Sequence, residues 1–134
     1  MNKHSSTIAA IGRIVIALIF IMSGFSKLGT ADATQGYIAS VGLPFPTVGY
    51  LIAVLTEIGG GLLLLIGFRT RFVAAWLAAF SVATAIVFHH NFADQNAMIH
   101  FLKNFMMAGG LLQIVAFGAT KLSLDARRVM ALAN

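Results

Sequence analysis

The sequence predicts an all-α membrane protein, an up-and-down bundle of four transmembrane helices. Composition is the first reason. The 134 residues are 59% hydrophobic and 10% charged, where a soluble domain carries charge on about a quarter of its residues. Mean hydropathy is +0.90. The second reason is that four apolar stretches divide the chain, each near the roughly 20 residues that cross hydrocarbon. The third is that the stretches after the first are joined by short connections, which make neighbouring helices antiparallel. The length fits a single four-span domain, 1–134, and leaves no room for a second, soluble one.

The first span is predicted at about 8–25, with Ser6 or Thr7 as its cap. The loop at 26–46 is long for a bundle. Within it, Asp32-Ala33-Thr34-Gln35 reads as a capping box that opens a short interfacial helix ending near Gly42. Tyr37, Ile38 and Val41 give that helix an apolar side, and Leu43-Pro44-Phe45-Pro46 stiffens entry into the second span. The second span is about 47–67 and the third about 72–88. The fourth is about 97–118, with Asn96 as its cap. Ser123-Leu124-Asp125-Ala126-Arg127-Arg128 reads as a tail that starts a short helix.

Charge sets the orientation. Lys3, Arg69, Arg71, Lys121, Arg127 and Arg128 fall on one side, and Lys27 alone falls clearly on the other. By the positive-inside rule both termini (N-in/C-in) and the 68–71 turn are cytoplasmic. A net charge of +5 would suggest nucleic acid in a soluble protein. Here the cations mark cytoplasmic loops and lipid phosphates, so the predicted partner is the bilayer and not nucleic acid. A cleaved signal peptide is the rival reading of the N-terminus, with Ala31-Asp32-Ala33 as the cut. Arg13 inside the apolar run and Lys27 just before the cut speak against it. The chain has no Cys, which excludes disulfides, CxxC redox chemistry and thiolate-ligated iron–sulfur or zinc sites.

Glu57 is the position that asks most for a function. It is one of four acidic residues and lies mid-way along the second span. A carboxylate at that depth costs roughly 2.5–3.5 kcal/mol on insertion scales, and Val, Leu and Ile return about 0.3–0.6 each. The eleven such residues in 47–67 therefore still insert the span. Helical spacing puts Arg13, Phe20, Gly24 and Lys27 on one face of the first span. Tyr50, Ala53, Glu57, Gly60, Gly61 and Leu64 share a face of the second, with glycines 59–61 open to close approach. Trp76, Ala79, Ala83 and His90 align on the third, and His100, Lys103, Asn104 and Met107 on the fourth. From depth along the helices, the predicted partner of Glu57 is either Arg13 or Lys103.

Two readings of Glu57 follow. Paired with Arg13, it is an interhelical pin that fixes the bundle's register. Paired upward, it belongs to a polar pocket of Lys27, Glu57, His90, His100 and Lys103 that opens outward. His89-His90 also invites a metal or haem, but adjacent helical residues point about 100° apart and chelate poorly. No metal is assigned, and haem is the lesser reading of these histidines.

Gly24-Phe25-Ser26-Lys27, Glu57 with Gly60-Gly61, Gly67-Phe68-Arg69-Thr70-Arg71, His89-His90, Phe101-Leu102-Lys103-Asn104, Gly109-Gly110 and Ser123-Leu124-Asp125 occur in order along the chain. Together, from about Arg13 to Arg128, they resemble the DoxX family of small bacterial inner-membrane proteins, particularly its YphA-like members. The resemblance implies a four-span protein of the bacterial inner membrane. The family is named for an association with thiosulfate:quinone oxidoreduction, and some members are linked to membrane redox complexes. It supplies no agreed catalytic residues, so the pocket residues rest on the sequence alone. The leading expectation is an accessory protein of membrane redox metabolism that binds quinone or a small anion near Glu57, alone, as a homo-oligomer or in a redox complex. Whether the protein is an enzyme is left open by the sequence: the first reading is no independent catalysis, the second a subunit of an oxidoreductase. The alternatives are a proton-coupled transporter and a structural or assembly partner without chemistry of its own.

Overall fold

The computed structural model describes residues 2–120 and 122–133. Lys121, counted above among the cytoplasmic cations, lies outside the described residues. Every regular element is helical: α1 (Lys3–Gly29), α2 (Ala31–Ser40), α3 (Pro46–Ile66), α4 (Thr70–Phe88), α5 (Gln95–Phe117) and α6 (Leu124–Leu132). Helices α1, α3, α4 and α5 are long and apolar enough to span a membrane. Their outward faces carry Ile11, Val15, Leu18 and Met22 on α1 and Leu102, Phe105 and Met106 on α5, all exposed. Such faces suit lipid rather than water.

Helix starts differ from expectation at three places. Asn2 caps α1 by accepting from the Ser5 N–H at 2.8 Å, so α1 begins at Lys3 and not near Ile8. Asn is as good a cap as Ser or Thr, and Thr7 instead bonds back to the Lys3 carbonyl at 3.0 Å. Asp94 caps α5, accepting from the Asn96 and Ala97 N–H groups, two residues ahead of the predicted cap at Asn96. Helix α2 begins at Ala31 without a side-chain cap, and Asp32 lies in its first turn, where it complements the dipole. The predicted capping box therefore does not form.

The spans pack in a ring, α1 on α3, α3 on α4 and α4 on α5, and the α1–α5 seam is the sparsest. Ala17 and Phe20, Leu64, Ala74 and Leu77, and Ala108 and Leu111 form the core. Helices α1 and α3 touch at glycines. A Cβ on Gly61 would lie 3.1 Å from the Ala17 carbonyl oxygen, and one on Gly24 would lie 3.1 Å from the Ile58 nitrogen. Helix α2 folds over this end of the bundle. Its Ile38 is buried against Tyr50 and Val54, and its Tyr37 hydroxyl donates to the Phe88 carbonyl at 2.8 Å. The predicted apolar side thus faces the bundle.

Two turns of α3 carry special geometry. Thr56–Gly60 is a π-helical turn with Glu57 buried in it; such turns are rare and often sit at functional sites. The helix then ends in a Schellman motif, with Gly67 at φ +72 and the Phe68 N–H bonded to the Leu63 carbonyl at 3.0 Å.

Polar and small-residue stripes of spans normally face the bundle interior, but the third predicted one faces outward. Trp76, Ala79, Ala83 and His90 are exposed, while Val73, Ala74, Leu77, Ala78, Ser81 and Ala85 face inward. Alanines all round α4 leave small residues on every face, so size does not select one. Trp76 instead donates from Nε1 to the Thr56 hydroxyl at 3.3 Å.

Candidate functional site

Glu57 enters the bundle from the π-helical turn at the level of Gly24 of α1, whose missing side chain leaves space for it. One turn further along α1, Lys27 reaches back to the carboxylate. Its Nζ lies 3.0 Å from Oε1 and 2.9 Å from Oε2. It also donates to the Ser23 hydroxyl at 3.1 Å, and Ser23 donates to Oε1 at 3.2 Å. The three N–H groups of the ammonium are matched by three acceptors. The Glu57 side chain is 8% exposed and that of Lys27 is 27% exposed. The carboxylate is sealed, and the pair's open side belongs to Lys27.

Neither predicted partner is used. Arg13 donates from Nη2 to the Leu122 carbonyl at 2.6 Å, near the chain termini. Lys103 is exposed. The prediction took α1 and α3 as level at their ends. In fact α2 caps that end of α1, and Gly24 rather than the middle of α1 meets Glu57. Arg13 is eleven residues from Gly24, roughly 16 Å along the helix. Within the described residues, Lys27–Glu57 is the one ion pair inside 4.0 Å.

The pair forms the floor of a cavity of about 700 Å³ that runs up to α2, well within the roughly 300–1,000 Å³ of small-molecule sites. Phe20, Ile38, Phe80 and Phe88 supply apolar wall, and Thr30, Thr34, Thr84 and Asn104 supply polar points. His89 and His100 close one side with stacked rings, centroids 5.1 Å apart. Burial, and then the charge of His100, hold the His89 imidazole below its ordinary range. It therefore favours the neutral form, which offers one donor and one acceptor.

Of the predicted pocket, Lys27, Glu57 and His100 line this cavity, and His90 and Lys103 do not. Their neighbours His89 and Asn104 line it instead. Helix α4 ends at Phe88, so His90 follows a turn and not a helical face. On α5 the inward row is Asn104, Met107, Ala108 and Leu111, and Lys103 sits beside it. Ser23 was missed although it stands four residues before Lys27, on the same face. No three His, Asp or Glu side chains among the described residues come together as a metal site.

A second polar knot ties the other end. The Asp125 carboxylate accepts from the Arg69 N–H at 2.8 Å, the Thr70 N–H at 2.8 Å and the Thr70 hydroxyl at 2.7 Å. It thereby caps α4, which has no local side-chain cap. Partial burial raises the Asp125 pKa, but these hydrogen bonds and the nearby Arg13 charge outweigh that and hold it below its ordinary 3.8.

Comparison with known proteins gives the family. The DoxX family model matches residues 8–90. The inner membrane protein YqjF of Escherichia coli (strain K12) is 35% identical over 127 residues, 93% of this chain and 95% of that protein. YphA, an inner membrane protein of the same strain, is 38% identical over 122 residues, 87% of each. CatD of Bacillus subtilis (strain 168), whose name provisionally calls it an oxidoreductase, is 33% identical over 87 residues, 65% of this chain and 63% of that protein. No solved structure is significantly similar. With its four spans, its near full-length likeness to two inner-membrane proteins and the match over most of its first three spans, the chain belongs to the DoxX family of multi-pass inner-membrane proteins.

Proposed function

We propose that this protein is an accessory component of membrane redox metabolism that binds a quinone headgroup in the cavity above Glu57. Both termini are then cytoplasmic, and the cavity lies toward the outer side, in keeping with Arg69, Arg71, Arg127 and Arg128 at the opposite end.

The single observation that carries the reading is the paired polar floor of a chamber whose walls are mainly apolar, with a few polar points. Lys27 is matched by Glu57 and Ser23, so the floor has no net charge. A small anion gains little from such a floor. A neutral flat ring with carbonyl oxygens suits it better, since apolar walls hold the ring and Lys27, on the open side of the pair, can exchange its hydrogen bond to Ser23 for one to a carbonyl while keeping Glu57. His89 and His100 offer donors at the wall. Glu57 holds Lys27 in place behind the ring. The redox setting draws on the family and on the name of CatD. Proton-coupled exchange would require Glu57 to leave its partner in each cycle, and nothing in the cavity specifically favours that.

Gentle purification followed by organic extraction and absorption spectroscopy tests the reading. A quinone near one equivalent, or saturable uptake of added quinone, is expected. Mutation of Lys27 to Met should weaken uptake at least tenfold, about 1.4 kcal/mol. An extract without quinone, together with no saturable uptake, overturns it.

A further inference from the structure

A second recess lies between α1 and α5, at the end that carries the chain termini. We propose that it holds the phosphate of an anionic phospholipid, with Arg13 as the recognising cation. This is independent of the quinone reading and uses none of its residues.

The recess is a groove of about 310 Å³ on the sparsest seam of the bundle. Arg13 and Thr120 line it together with Gly12, Ile16, Ile114 and Phe117. Arg13 is 3% exposed and Thr120 is 5% exposed. One guanidinium nitrogen of Arg13 reaches the Leu122 carbonyl. Its Nε and Nη1, and the Thr120 hydroxyl, have no hydrogen-bond partner among the described residues. Buried polar groups are paired in the great majority of cases, so three orphans around one groove point to an absent acceptor. Asp125 does not serve, because its oxygens are taken by Arg69 and Thr70. Nη1 is walled by Gly67 and Ser123, which leaves Nε and the Thr120 hydroxyl to meet a ligand in the groove.

Depth and shape favour a lipid over a free ion. Helix α1 has 27 residues, roughly 40 Å at 1.5 Å each, against a hydrocarbon core of about 30 Å. It overshoots the bilayer. Arg13 sits level with the end of α5, where Phe117 closes the helix and Thr120 follows. That is the boundary between hydrocarbon and headgroups, where a lipid phosphate is within reach. Arg71 lies against Gly118 at the rim and adds a second cation. Ile16, Ile114 and the outward-facing Phe117 continue the groove as apolar wall, fit for the first methylenes of an acyl chain. Gly12 keeps it open, with no atom within 4 Å of where its Cβ would be. A basic pocket between spans at headgroup level is a recognised form of lipid site.

Native mass spectrometry of the full chain, released from nanodiscs of mixed phosphatidylglycerol and phosphatidylcholine, reads the site directly. Retention of phosphatidylglycerol over phosphatidylcholine is expected. Arg13→Gln should reduce that retention at least tenfold. Because Arg13→Gln removes a buried group and can unfold the protein, Gly12→Leu is the second variant. It leaves every charge in place, fills open space, and should reduce retention by a similar factor in a protein that still melts normally. Inorganic phosphate, titrated into delipidated protein, separates the two sources of a phosphoryl group. Equal retention of both lipids, retention unchanged by Gly12→Leu, or saturable binding of inorganic phosphate that survives Gly12→Leu would each overturn the proposal.

Discussion

At the scale of single residues, the Lys27–Glu57 pair decides between a site and a pin. Breaking a buried pair from one side leaves an uncompensated charge and costs roughly 3–5 kcal/mol, while replacing both partners by apolar residues is often neutral. Lys27→Met should therefore lower the thermal midpoint clearly, and Lys27→Met with Glu57→Leu should restore most of it. Loss of quinone uptake in that stable double mutant would mark the pair as functional. Preserved uptake would reduce it to packing. Asp125 gives a second test. Its carboxyl is held below 3.8, so its contribution is complete above that value and is lost as pH falls through the folded pKa. Asp125→Ala should cost about 1–2 kcal/mol at neutral pH, as loss of a cap does, and speed tryptic cleavage at Arg127 and Arg128. Sequence alone picked out Lys27, Glu57 and His100 because charged and polar residues inside spans are few. It missed the pairing because the relative height of α1 and α3 is set by α2 and by the Gly24 contact, neither of which depth along a helix reports.

At the scale of elements, the glycines separate contact from ornament. A Cβ on Gly24 would stand 2.5 Å from Ile58 Cγ1 and 3.2 Å from Glu57 Cβ, while one on Gly59 meets nothing within 4 Å. Gly24→Ala should therefore push α1 from α3 and destabilise by roughly 1–3 kcal/mol. Gly59→Ala should change stability by less than about 0.5 kcal/mol. Thermal melts of the two variants in one detergent check the contrast. Spans were legible as elements because hydropathy and length define them: the predicted 47–67 and 72–88 became Pro46–Ile66 and Thr70–Phe88. The inward face of α4 was not, since Ala-rich helices show no polar stripe. The π-helical turn at Thr56–Gly60 had no more than the glycine run as its signal.

At the scale of the whole molecule, the predicted orientation follows from charge and the site from how the ring of spans closes. Because the chain has no Cys, single cysteines report topology cleanly. A cysteine at Asn91 should react with a membrane-impermeant maleimide added outside intact cells, and one at Arg128 only after lysis; the reverse pattern would turn the cavity to the cytoplasm. The bundle as a whole was legible in the sequence, but its cavity was not, because it depends on α2 folding across one end while the α1–α5 seam stays loose. The central claim is that this cavity, floored by Lys27 and Glu57, holds a quinone headgroup. Photolabelling with a photoreactive quinone, followed by peptide mapping, tests it most directly. Label on α1 near Ser23–Lys27 and on α5 near His100–Asn104, competed away by unmodified quinone, is the predicted result. Label confined to the lipid-facing Ile11–Met22 surface and insensitive to competition would contradict it.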